Sequence, residues 1–320
     1  MVLLEQTFTM TDPHGTKAHV YQWLPDQEAD IKGVLQIVHG MCETAERYAR
    51  FASALTAAGY AVYAHDQRGH GLTAGSVERL GDVGENGFPL MVQDILRLGG
   101  IIRGNHPAVP LFLMGHSMGS FLVQKVIQAH SEGYEGFILS GTNGPRSMLQ
   151  PGKMLASIQS KLQGASHRSL MMNAIVFGGF NRAFSPARTD FDWLSRDPDE
   201  VDRYIEDPFC GAICTASFFR DFLGHLQEIQ RPAGYDGIPR NKPIYLFSGD
   251  KDPVGLNGKG VERLASIYRG LGIPDVECRL YPDGRHEMLN EINRDEVTAD
   301  ALAWLESHVQ ALTSKKSSSM

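Results

Sequence analysis

Val109-Pro110-Leu111-Phe112-Leu113-Met114-Gly115-His116-Ser117-Met118-Gly119 joins an apolar run of strand length to a small-x-Ser-x-small pentapeptide. Phe121, Leu122, Val126 and Ile127 follow at helical spacing, so the stretch reads as strand, tight turn, helix. Such a turn is a nucleophile elbow. Glycine on either side lets the strand and helix pack closely, and the serine between them is held in a strained backbone with its hydroxyl exposed. The pentapeptide alone is a weak signal, and its flanks make it specific.

Working outward, apolar runs at Ala18 to Leu24, Gly33 to Val38, Tyr60 to Ala64, Gly136 to Leu139, Ile244 to Phe247 and Val276 to Tyr281 read as further strands. Apolar stripes of helical period fall between them at Arg47 to Ala58, Leu90 to Arg103, Ser120 to His130, Val261 to Leu271 and Asp295 to Leu312. Alternating strands and helices imply a mostly parallel sheet covered on both faces, with ligands at the carboxyl ends of the strands. From Gly144 to about Asn241 the strand pattern stops, and the chain reads as helices at Met148 to Leu162, Leu170 to Phe177, Asp199 to Ile205 and Ala212 to Ile229. The expected organisation is therefore a core of residues 1–144 and 241–312, a helical cap or lid inserted as 145–240, and a polar, disordered tail over 313–320.

Composition narrows the function classes. The chain has 320 residues, 42% hydrophobic and 21% charged, enough for a full core. Its net charge of −7, from 30 basic and 37 acidic residues, argues against nucleic acid and leaves no polybasic membrane anchor. The opening Met1-Val2-Leu3-Leu4-Glu5 has neither the basic region of a signal peptide nor an apolar stretch of membrane-spanning length, so a cytoplasmic protein is expected. Cys42, Cys210, Cys214 and Cys278 lack the paired spacing of a zinc site and read as free thiols, Cys210 and Cys214 lying four apart in a helical segment.

A serine hydroxyl attacks only if a histidine takes its proton and a carboxylate holds that histidine's tautomer. Asp252 follows the apolar strand in Phe247-Ser248-Gly249-Asp250-Lys251-Asp252, with Asp250 a rival two residues earlier. His286 lies in the loop Tyr281-Pro282-Asp283-Gly284-Arg285-His286-Glu287. Ser117, Asp252, His286 is the chain order of α/β-hydrolases. Two backbone donors must hold the oxyanion: Met118, at a helix start, supplies one, and Met41, in the loop after Val38-His39-Gly40, is the expected second. Glu43 and Arg47 read as an ion pair one helical turn apart. His39 and His116 read as structural residues, while Asp66, Arg68 and His70 look catalytic in isolation.

His39-Gly40-Met41-Cys42-Glu43, Arg47-Tyr48, Asp66-Gln67-Arg68-Gly69-His70-Gly71, the elbow, Gly249-Asp250-Lys251-Asp252 and Arg285-His286-Glu287 together closely resemble the monoacylglycerol lipase and lysophospholipase (serine aminopeptidase S33-like) family. The resemblance runs from about Thr7 to Leu312 and implies an α/β-hydrolase fold with about eight strands. It also implies Ser117 as nucleophile, Asp252 as acid, His286 as base, Met41 and Met118 as the oxyanion hole, and a buried hydrogen-bonded turn at Asp66, Arg68 and His70. One departure stands out: the family usually has glycine where this chain has Cys42.

The reading is a serine carboxylic-ester hydrolase working through an acyl-enzyme, with no metal or organic cofactor. The expected substrate is a small hydrophobic ester such as a monoacylglycerol or lysophospholipid, with Met171, Ile175, Phe180 and Phe218 of the cap as candidate acyl-binding residues and transient membrane contact through the lid. The alternatives are a peptidase or amidase of the same fold, similar to proline iminopeptidases and using the cap acids Glu200, Asp202 or Glu206, and a hydrolase fold that binds a small molecule without turnover.

Overall fold

A computed structural model describes residues 4–26 and 31–318. Met1 to Leu3, which the localisation argument used, and Ser319 and Met320 of the tail lie outside the described residues. The strands are β1 (Leu4–Thr11), β2 (Lys17–Leu24), β3 (Gly33–Val38), β4 (Tyr60–His65), β5 (Leu111–His116), β6 (Gly136–Ser140), β7 (Ile244–Gly249) and β8 (Val276–Tyr281). They form one sheet in the order β1-β2-β4-β3-β5-β6-β7-β8, with β1 and β2 antiparallel and β4 through β8 parallel. β3 to β7 are buried along their whole length, as continuous apolar runs between two helical layers must be.

The sequence reading placed every strand except β1. Its Glu5, Gln6, Thr7 and Thr9 give no apolar alternation because β1 is an edge strand with most of its side chains in solvent.

The helices are α1 (Ala49–Ala57), α2 (Gly87–Asn105), α3 (Met118–Ala129), α4 (Leu149–Gln163), α5 (Leu170–Phe177), α6 (Pro198–Glu206), α7 (Ala216–Ile229), α8 (Pro232–Tyr235), α9 (Lys259–Gly270) and α10 (Arg294–Ser318). α7 begins at Ala216, not Ala212, because the Thr215 side chain caps it by accepting from the Phe218 N–H. Cys210 and Cys214 therefore lie in a loop rather than on one helix face. α10 continues past Leu312 to Ser318, so the expected disordered tail does not begin at 313. There the Thr313 and Ser314 hydroxyls donate to the carbonyls of Val309 and Gln310, each at 2.9 Å, one turn back along the helix.

α4 to α8 fill the interval between β6 and β7, where the sequence loses its strand pattern. α7 is the inner helix of this insertion. Phe218, Phe219, Phe222 and Leu226 are buried, and the helix rests on α2 and α3. α4 lies along α7 and buries only Ala156 and Ser160, while α5 buries only Met172. Ile158, Leu162, Met171 and Ile175 of these outer helices are exposed. Among the described residues no helix is long and apolar enough to cross a membrane.

Candidate active site

β3 and β5 are neighbours although the chain visits β4 between them, and this reversal opens a crevice at their carboxyl ends. Val38 pairs with Gly115, so the loop that continues from Val38 runs beside the turn that continues from Gly115. Ser117 occupies that turn at φ 51° and ψ −120°, a conformation that costs a non-glycine residue on the order of 1–3 kcal/mol. Its N–H is tied to the Ser140 carbonyl at 2.9 Å, and α3 starts at the next residue. Gly119 lets the start of α3 meet β3, since a Cβ there would collide with the Val38 carbonyl. The Met118 N–H, first in the helix, has no intrahelical acceptor.

The other end of the site is assembled by lacing two loops together. The Asp250 N–H donates to the Tyr281 carbonyl and the Lys251 N–H to the Gly284 carbonyl, each at 3.0 Å. Gly249 permits the contact, because any Cβ there would strike the Gly284 backbone. The result sets His286 Nδ1 3.0 Å from Asp252 Oδ2. Asp252 also accepts from the Ser248 hydroxyl and the Val254 N–H, both at 2.8 Å. Burial alone would raise the Asp252 carboxyl, but His286 and these donors hold it below the usual carboxylate range. Burial likewise opposes charge on His286, yet the Asp252 carboxylate raises the imidazole above its ordinary value. With Nδ1 engaged, Nε2 is a buried nitrogen without a hydrogen-bond partner among the described residues. Asp250 instead accepts from the Asp283 N–H at 2.8 Å and faces Lys251.

Ser117, His286 and Met41 line one cavity of about 490 Å3. Its far wall comes from the insertion: Leu170, Asn173, Ala174 and Phe177 on α5, then Phe191, Trp193 and Leu194, Tyr204, and Ala212 and Ile213. The insertion is pinned beside the histidine, where the Glu287 N–H bonds the Leu194 carbonyl at 2.8 Å and the Trp193 ring packs 5.1 Å from the His286 ring.

None of Met171, Ile175, Phe180 and Phe218 lines this cavity. Phe218 faces down into the core against Phe88 and Phe222, and Phe180 packs behind the wall on Trp193 and Phe177. Met171 and Ile175 lie on the outer side of α5. The lining set 170, 173, 174, 177 has the i, i+3, i+4, i+7 spacing of one helix face, a signal the sequence does carry. The cap acids are not in the cavity either. Glu200 pairs with Arg50 and Arg203, and Asp202 with Arg188. The insertion's carboxylate that does line the wall is Asp190, which has no ion-pair partner among the described residues.

The residues read as structural are so placed. His39 donates from Nδ1 to the Gly40 carbonyl at 2.8 Å and accepts the Gln67 N–H at Nε2. His116 lies against His286, and burial, then His286, lowers it to about 3. Asp66 accepts the N–H groups of Ala45 and Leu72, and Arg68 is clamped between Asp12 and Asp94. Glu43 and Arg47 do pair, at 2.8 Å, but the pair is part of a larger bridge. Arg47 also grips Glu287 with two bonds of 2.7 Å, and Glu43 accepts from the Gly40 N–H at 2.5 Å and from Tyr48. Glu287 was missed because Arg47, its ion-pair partner, is 240 residues away in the chain.

The monoacylglycerol lipase of Mycolicibacterium smegmatis is 32% identical over 293 residues, spanning 90% of this chain and 92% of its own. Residues 29–293 match the hydrolase family described as serine aminopeptidase, S33. The chain belongs to this family. A Mus musculus monoglyceride lipase is 27% identical, over 88% of this chain and 84% of its own. A thermostable carboxyl esterase from Bacillus coagulans, solved in complex with glycerol, superposes with a TM-score of 0.87 at 28% identity, covering 97% of this chain and 99% of the esterase. This member of the family has the α/β-hydrolase fold and is a carboxylic-ester hydrolase of the monoglyceride lipase type.

Proposed function

We propose that the protein hydrolyses monoacylglycerols and similar long-chain esters by way of an acyl-enzyme. Ser117 Oγ attacks the ester carbonyl, and His286 Nε2 takes its proton and later returns it to the leaving alcohol. Asp252 fixes the proton on Nδ1 and stabilises the imidazolium. The amides of Met41 and Met118 hold the oxyanion, a contribution of about 2.7–4 kcal/mol for one such donor. The observation that carries this reading is the shared cavity, in which Ser117, His286 and Met41 face an apolar wall of α5, Phe191, Trp193 and Leu194.

The insertion acts in this reading as a lid that selects acyl chains. Its outer helices also present Ile158, Leu162 and Ile175 to solvent, a surface suited to a lipid aggregate carrying the substrate. The test is a panel of monoacylglycerols of graded chain length, lysophospholipids and aminoacyl amides. Preference for long-chain monoacylglycerols supports the reading. Preference for aminoacyl amides would instead make Asp190 a site for a free amine and the protein a peptidase.

A further inference from the structure

Cys42 follows Met41 directly, in the left-handed region at φ 58°. It lines the cavity, and its Sγ donates to the Ala212 carbonyl at 2.9 Å. With that proton engaged, the bond between Cys42 Sγ and Cys214 Sγ, 3.4 Å apart, is donated by Cys214. The backbone is joined at the same place, since the Gly211 N–H and the Tyr204 hydroxyl both donate to the Cys42 carbonyl at 2.9 Å. Two free thiols thus face each other across the seam between the loop after β3 and the insertion.

We propose that Cys42 and Cys214 are a disulfide-forming pair that closes under peroxide and thereby inactivates the hydrolase. Of the two, Cys42 lines the cavity through which an oxidant would arrive and is 8% exposed, whereas Cys214 lies outside that lining and is 1% exposed. The Cys42 sulfur attacks one peroxide oxygen, the O–O bond breaks, and the departing hydroxide leaves as water with the Cys42 proton. The Cys214 sulfur then attacks the sulfenic sulfur, the S–S bond forms as the S–O bond breaks, and a second water carries off the Cys214 proton. Two thiols lose two electrons, and one hydrogen peroxide gains them.

The inactivation rests on Met41 as an oxyanion donor and follows from geometry. An S–S bond is about 2.05 Å long, so the sulfurs must close by about 1.4 Å from their present 3.4 Å. Cys214 has little room to yield. Its carbonyl accepts the Ser169 N–H and the next N–H donates to the Gly81 carbonyl, both at 3.0 Å, while a Cβ on Gly81 would meet the Cys214 Cα at 2.8 Å. The Cys42 backbone is held too, by the two donors to its carbonyl, so closing the bond strains the loop one residue from the Met41 amide. A displacement of about 1 Å in a positioned catalytic group lowers the rate by about 10²-fold.

The experiment treats the whole reduced protein with hydrogen peroxide, blocks remaining thiols, and reads non-reduced peptides by mass spectrometry beside ester hydrolysis before and after dithiothreitol. The expected result is a Cys42–Cys214 peptide whose yield tracks an activity loss of about 10²-fold that the reductant reverses, unlike methionine oxidation. Cys214→Ser and Cys214→Ala should each keep the reduced protein's activity and lose the reversible inactivation. No cross-link, a cross-link through Cys210 or Cys278, or a Cys42–Cys214 bond that leaves activity unchanged overturns the proposal. The reduced protein is assayed first, so absence of ester hydrolysis, which contradicts the proposed function, is read separately from absence of the bond.

Discussion

Arg47 holds Glu287 through two bonds of 2.7 Å and Glu43 through a third of 2.8 Å, and so ties the loop bearing Met41 to the loop bearing His286. Burial pushes the Glu287 carboxyl up, but the Arg47 guanidinium overrides it and holds it at about 2. Burial keeps Glu43 above the usual range despite the same cation. The bridge joins both halves of the candidate site, and its two carboxylate residues, Glu43 and Glu287, line the cavity beside Ser117 and His286.

Arg47→Ala should therefore cost about 3–5 kcal/mol, because it strands two buried carboxylates. In the native protein Glu287, with its depressed value, contributes stability that is complete above its unfolded value of about 4.3 and is lost as pH falls through about 2. In the variant the stranded acids are raised instead, so acidification from pH 7 to pH 5 should restore part of the loss. Urea unfolding at both pH values checks the sign, and an equal deficit at each would rule out an electrostatic role.

Activity should fall on the acid side as His286 takes up a proton. Because Asp252 raises that imidazole above its ordinary value, the acid limb of log kcat/KM should have its midpoint above about 6.5. The same raised value means that the ion pair's contribution to stability is present below about 6.5 and lost as pH rises through the folded value. A rate midpoint below 6.5, from assays at constant ionic strength, would contradict the assignment of the base.

Asp252→Asn should lower kcat by about 10⁴-fold, as the matching change does in a serine protease triad through the wrong histidine tautomer. Asp250→Asn should change it little, since Asp250 bonds the Asp283 N–H and faces Lys251. Steady-state kinetics on one soluble ester ranks the two, and the reverse ranking would move the role to Asp250.

Leu170→Ser with Phe177→Ser should raise KM for long acyl esters far more than for acetyl esters, at about 0.8 kcal/mol for each methylene that loses its apolar contact. Ile158→Ser with Ile175→Ser, on the outer surface, should leave soluble esters untouched and weaken turnover only of substrate held in vesicles. Equal losses on short and long esters would leave the insertion as a structural subdomain.

The sheet was legible because β3 to β7 are buried on both faces and read as unbroken apolar runs. The edge strand β1 was not, since its exposed positions carry polar residues. Ser117, Asp252 and His286 could be proposed as a triad because each follows a strand within a local motif that dictates its conformation or its loop. The cavity wall was harder: Met171 and Phe218 are as apolar as Leu170 and Phe177, and only the helix phase separates the residues facing the cavity from their neighbours. Arg47 and Glu287 form a contact that no local pattern encodes.

The central claim is that Ser117 carries the acyl group, and fluorophosphonate labelling beside ester turnover tests it most directly. The native protein should label once, at Ser117. Ser117→Ala, folded with an unchanged melting temperature, should not label and should lose kcat by about 10⁶-fold. Stoichiometric labelling or retained turnover in the alanine variant would place the nucleophile elsewhere and contradict the account.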